Sequence, residues 1–126
     1  MRVFKNKWFN RWARGEDIPD SILYSAALEI AAGRYEADLG GCLFKKRIAR
    51  AGGGKSGGYR TLVGYKKANS ERLIFLYSFA KSDRANITDR EEAALSLAAE
   101  SFLSASDKQL DELLKNGSVW EVQHNE

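Results

Sequence analysis

The densest chemistry in this sequence is a set of cations. Lys45 and Arg47 are two apart in Leu43-Phe44-Lys45-Lys46-Arg47-Ile48, so on a strand they project to one face while Lys46 and Ile48 project to the other. Arg60 sits at the start of Tyr59-Arg60-Thr61-Leu62-Val63-Gly64-Tyr65-Lys66, a run rich in strand formers. Lys81 follows the apolar run 73–80, and Arg84 comes three residues later. Neighbouring strands would bring at least four cations, Lys45, Arg47, Arg60 and Lys81, to one sheet surface. Like charges packed that closely cost stability unless an anion is expected between them. Such a cluster suits the holding of an anion such as a phosphate. The plain alternative is a basic sheet face that binds nothing in particular.

Other chemistries fit poorly. The single His, His124, lies two residues from the last and is expected in a frayed tail, so it anchors no Ser–His pair. One Cys, Cys42, excludes an intramolecular disulfide and has no His to deprotonate it; with too few ligands for zinc, no metal or cofactor is expected. Carboxylate pairs such as Glu91 with Glu92 and Asp111 with Glu112 read as exposed helix faces. Residues 52–58, GGGKSGG, imitate the end of a phosphate-binding P-loop. That motif needs Gly where Ala49 stands and a helix directly after the Ser, and here Gly57-Gly58 and a strand follow. The segment reads as a hairpin tip, with Lys55 placed to touch a backbone phosphate.

Charge is unevenly spread. The net charge of the 126 residues is +3. Residues 44–84 hold eleven cations against Glu71 and Asp83, a net of +9, whereas residues 85–126 hold three cations and nine anions, a net of −6. A local excess of that size is a footprint for a polyanion, because neutralising phosphates releases counterions. Apolar residues at 44% and a single Pro exclude global disorder. Neither a secretory signal nor a membrane-spanning run is present, so a cytoplasmic home is expected.

The elements that must position these cations follow from period and punctuation. Residues 2–14 place Val3, Phe4, Trp8, Phe9 and Trp12 at helical spacing and predict a short amphipathic helix. Ile22, Leu23, Ala26, Ala27, Ile30 and Ala31 predict a second helix after Pro19, capped by Gly33. Strand composition then takes over in residues 43–51, 59–66 and 73–80, an antiparallel meander whose third strand is apolar on both faces. Capping boxes at Thr88–Glu91 and Ser106–Gln109 open two further helices, the second closed by Gly117. Residues 118–122 suit a sheet edge. The expectation is one α+β domain over residues 1–126, with a helical hairpin at 1–34 packed on a small antiparallel sheet at 43–81, and C-terminal helices at 88–117.

At these residues the sequence resembles the RelE/ParE superfamily of bacterial toxins, within it the RelE- and HigB-like branch. The resemblance rests on Leu43-Phe44-Lys45-Lys46-Arg47-Ile48, on Gly57-Gly58-Tyr59-Arg60, and on Phe79-Ala80-Lys81-Ser82-Asp83-Arg84, in that order and spacing. It implies the toxin of a type II toxin–antitoxin system, an mRNA interferase that inhibits translation by cutting mRNA on the ribosome without a catalytic His. By position it gives catalytic roles to Lys45, as base, and to Arg47, Arg60 and Lys81, with Lys46, Arg50, Lys55, Tyr59 and Arg84 as RNA-binding residues. Ser82 and Thr88 stand where some members have Arg and Tyr.

The resemblance also implies a cognate antitoxin encoded nearby, helix-turn-helix or partly disordered, with operator DNA reached only through it and no membrane involved. An acidic antitoxin segment would fold across the sheet and meet Arg47, Arg60 or Arg84. Trp8, Phe9 and Trp12 are either core or a second docking surface. Two other readings compete: a non-catalytic toxin of the same fold acting on a protein such as gyrase, and a nucleic-acid-binding module without catalysis. The row of Lys45, Arg47 and Arg60 argues against the gyrase branch, because binding a protein does not require it.

Overall fold

A computed structural model describes residues 1–50, 58–68 and 71–124. In chain order the elements are β1 (Arg2–Asn6), α1 (Lys7–Gly15), α2 (Asp20–Ala31), β2 (Ala37–Gly40), β3 (Leu43–Ile48), β4 (Tyr59–Tyr65), β5 (Arg72–Ala80), α3 (Asp89–Leu103), α4 (Asp107–Lys115) and β6 (Val119–Glu121). The strands form one sheet in the order β2-β3-β4-β5-β1-β6. Every neighbouring pair is antiparallel except β1 with β5, which is parallel.

Helices cover both faces, so the sheet separates two apolar cores. On one face Phe9 and Ala13 of α1 and Leu23, Ala26, Ala27 and Ile30 of α2 pack against Phe44, Val63, Leu73 and Phe75. On the other, Ala99 and Phe102 of α3 and Leu110 of α4 pack against Phe4, Leu43, Leu62 and Ile74. Chain ends at the helices follow the sequence signals. Thr88 and Ser106 each form a full capping box with Glu91 and Gln109. Gly33 and Gly117, at φ +87° and +79°, provide the left-handed residue after α2 and after α4. Among the described residues no helix is long and apolar enough to cross a membrane.

Residues 2–6 correct the expected N-terminal helix. They form a strand in which Val3 enters one core and Phe4 the other, so a strand buried on both faces imitates the start of an apolar helical stripe. Asn6 marks the change: its side chain accepts from the Phe9 amide as the cap of α1, while its Nδ2 donates to the Leu76 carbonyl. The sheet is therefore wider than residues 43–81. It also gains β2, which holds the free side of β3, while residues 119–121 pair with β1 as an edge strand.

Candidate phosphate-binding site

Register decides which cations meet. In the β3–β4 pair Arg47 lies directly opposite Arg60, and Lys45 opposite Leu62. Leu43 and Leu62 belong to the core under α3 and α4, so by alternation Lys45, Arg47 and Arg60 all project to that face. Directly opposed side chains in an antiparallel pair start about 5 Å apart at Cβ, and diagonal ones about 7–8 Å. Lys45 stands on that diagonal from Arg60.

A bulge in β5 adds aromatics to the same face. Leu62 pairs with Tyr77 but Val63 with Phe75, so Leu76 is the extra residue and the alternation shifts by one. Tyr77 thereby joins Phe79, which opposes Arg60, on the cation face.

Each cation is held differently. The Lys45 ammonium donates to Asn86 Oδ1 at 3.0 Å, an oxygen that also accepts from the Ile87 amide. Arg47 lies low across Gly58, where a Cβ would stand 3.3 Å from its Nε, and its amide donates to the Glu36 carboxylate of the segment leading into β2. Arg60 is half-buried, and its Nη1 is a buried nitrogen without a hydrogen-bond partner among the described residues. Leaving such a donor unsatisfied costs about 1–3 kcal/mol, more when it is charged.

Arg84 is saturated instead. It donates to both Glu91 oxygens at 2.6 and 3.0 Å, to the Asn86 carbonyl at 3.0 Å and to the Tyr77 hydroxyl at 3.4 Å, with its guanidinium 5.5 Å from the Phe79 ring centre. The hydrogen bond from Arg84 is the main cause that lowers the Glu91 carboxyl to about 2, helped by Thr88; the same contact raises Arg84.

Lys81 is exposed in the turn after β5, and Arg50 is exposed just past β3, its guanidinium 5.9 Å from the Tyr59 ring centre. Lys46 and Tyr59, expected in the RNA-binding set, project by alternation to the face opposite Lys45, Arg47 and Arg60. Lys46 is 7% exposed, donates to the Arg34 carbonyl and pairs with Glu29. Tyr59 is 2% exposed and donates to Glu16 at 2.6 Å; burial, then Glu16, raises its hydroxyl pKa. Lys55 and the rest of residues 51–57 lie outside the described residues.

Asn86 and Glu36 carry no signal in the sequence; only the register and the 81–88 turn bring them to Lys45 and Arg47. Thr88 is occupied as the α3 cap, and His124 lies against Tyr24 with ring centres 4.2 Å apart.

Two helices on one face of a mostly antiparallel sheet, with two more on the other, define a RelE-like α+β fold extended by C-terminal helices. The profile of the family described as RelE toxin of RelE / RelB toxin-antitoxin system matches residues 1–122, and the chain belongs to that family of toxins. Membership implies a cognate antitoxin. No curated protein matches the chain.

Proposed function

We propose that this toxin is an endoribonuclease that cuts mRNA on the ribosome, using Lys45, Arg47 and Arg60 around the scissile phosphate. The observation that carries the reading is the β3–β4 register, which sets Arg47 opposite Arg60 with one buried guanidinium nitrogen lacking an acceptor. A phosphate oxygen is the acceptor that such a nitrogen fits.

In the reaction the ribose 2′-oxygen attacks its own 3′-phosphorus while Lys45 Nζ takes the 2′-hydroxyl proton. The phosphorus–5′-oxygen bond breaks, leaving a 2′,3′-cyclic phosphate and a 5′-oxygen that water protonates. Arg60 holds the phosphate in line, and Arg47 neutralises the charge that grows on its non-bridging oxygens. Asn86 fixes Lys45 through its Nζ. Lys81, two residues past the Phe79 that opposes Arg60, joins this group, and Arg50 serves a flanking phosphate.

The test is Arg60→Ala expressed alone in a bacterial host, with circular dichroism to check the fold. Growth arrest and the appearance of mRNA fragments bearing 5′-hydroxyl ends should both disappear. Undiminished arrest by a folded R60A protein overturns the nuclease reading and favours a toxin that acts through its protein surface.

A further inference from the structure

The cation face ends in an aromatic edge that the reaction above does not use. The β1 ladder stops at Lys5 opposite Phe75, so β5 continues past it without a strand on that side. Trp8 of α1 fills the place: its ring centre is 4.6 Å from that of Tyr77. Trp12 lies behind it, the two indoles 6.1 Å apart and within 8° of parallel. Although braced on two sides, Trp8 remains 43% exposed, while its neighbour Phe9 is fully buried. A rigid indole fixed by ring neighbours and still 43% exposed is a flat apolar plate at the edge of the core.

Two features specify what covers it. Tyr77, the ring beneath Trp8, shares a face with Arg60 because of the β5 bulge, and lies two residues along the strand from Phe79, about 7 Å. The helix that carries Trp8 has three exposed cations, Lys7, Arg11 and Arg14, and no acidic residue. None of the three forms an ion pair among the described residues. An apolar peptide would leave those charges unmatched. A nucleobase carried on a phosphate backbone matches both the plate and its surroundings.

We propose that Trp8, backed by Trp12 and Tyr77, is a stacking platform for a base of single-stranded RNA, next to the phosphate held at Arg60. The inference rests on the ribonuclease reading and extends it to how the strand is oriented. Stacking on any base is sequence-tolerant, so the platform sets register along the strand and leaves base identity unread.

The experiment uses the whole protein and two fluorescently labelled probes: a 2′-O-methyl RNA decamer, which cannot be cut, and an abasic strand of equal length. Trp8→Ala is expected to weaken binding of the base-bearing strand by about 5- to 100-fold, with its salt slope unchanged, whereas Trp8→Phe keeps most of the affinity. Binding of the abasic strand should be the same for wild type and W8A. If wild type binds the abasic strand with a steep salt slope and shows no preference for bases, the platform is wrong and the phosphate site stands. If wild type binds neither strand, the ribonuclease reading fails and takes the platform with it. Equal loss of both strands in W8A marks a structural role and overturns the proposal. So does a W8A protein that binds RNA normally but releases its antitoxin, which would make the edge a protein-docking surface.

Discussion

Two guanidiniums share one corner of the sheet and are prepared for different tasks. Arg84 has an acceptor for each of its nitrogens, whereas Arg60 has a buried Nη1 with none. The first is therefore a structural tie that fixes the 81–88 turn to α3, and the second retains an unspent donor. Glu91 makes the tie pH-dependent. Its folded pKa of about 2 lies below the ordinary 4.5, so its contribution is complete above pH 4.5 and is lost as the pH falls from there toward 2. The side chain is solvated, so the effect is local. Amide protection factors in the first turn of α3 should decline over that range in the native protein. In Glu91→Gln they should already be low at neutral pH and insensitive to acid. Matching profiles for the two proteins would remove Glu91 from this role.

At the scale of elements, α3 lies against the sheet only because position 64 has no side chain. A Cβ on Gly64 would stand 2.9 Å from the Ala99 Cβ and 3.0 Å from Ile74 Cγ2. Gly64→Ala should cost about 1–3 kcal/mol by overpacking, read from urea unfolding. Ala99→Gly in the same chain should restore part of that, limited by about 1 kcal/mol for glycine inside a helix. Strict additivity of the two changes would mean that the contact does not matter.

The elements also explain what the sequence reveals and what it hides. Two-residue alternation placed Lys45 and Arg47 together and, carried through the hairpin, predicted Arg60 beside them; both capping boxes were legible because four local residues specify each. The same alternation excludes Lys46, whose ammonium serves Glu29 and the end of α2. Hidden features depend on distant partners. Residues 2–6 are a strand only because β5 and β6 flank them. Tyr77 reaches the cation face only through a bulge, and Arg84 is neutralised by a carboxylate brought back by a turn. No local pattern encodes any of these.

Across the whole molecule, the excess of nine positive charges in residues 44–84 is spread over β3, β4 and β5 with their connections, while the acidic final third is mostly α3 and α4. Binding of single-stranded RNA should therefore weaken steeply with salt, each phosphate contact adding roughly 0.7 to the logarithmic slope. Arg47→Ala and Arg60→Ala should each lower that slope by about one contact. A slope near zero for the native protein would rule out electrostatic capture.

The position of β1 has a further consequence, for the time at which this toxin comes into being. β1 lies between β5, which begins at Arg72, and β6, which begins at Val119. Arg2 closes the arrangement by donating to both carboxylate oxygens of Glu121. As the chain leaves the ribosome β1 has no partner until residues 72–80 have emerged, and no second partner until residues 119–121 have. The meander bearing Lys45, Arg47 and Arg60 emerges earlier, but the helix carrying Trp8 is anchored to a strand still waiting for its neighbours. A nascent copy is thus an incomplete weapon until Glu121 has emerged and the sheet can close.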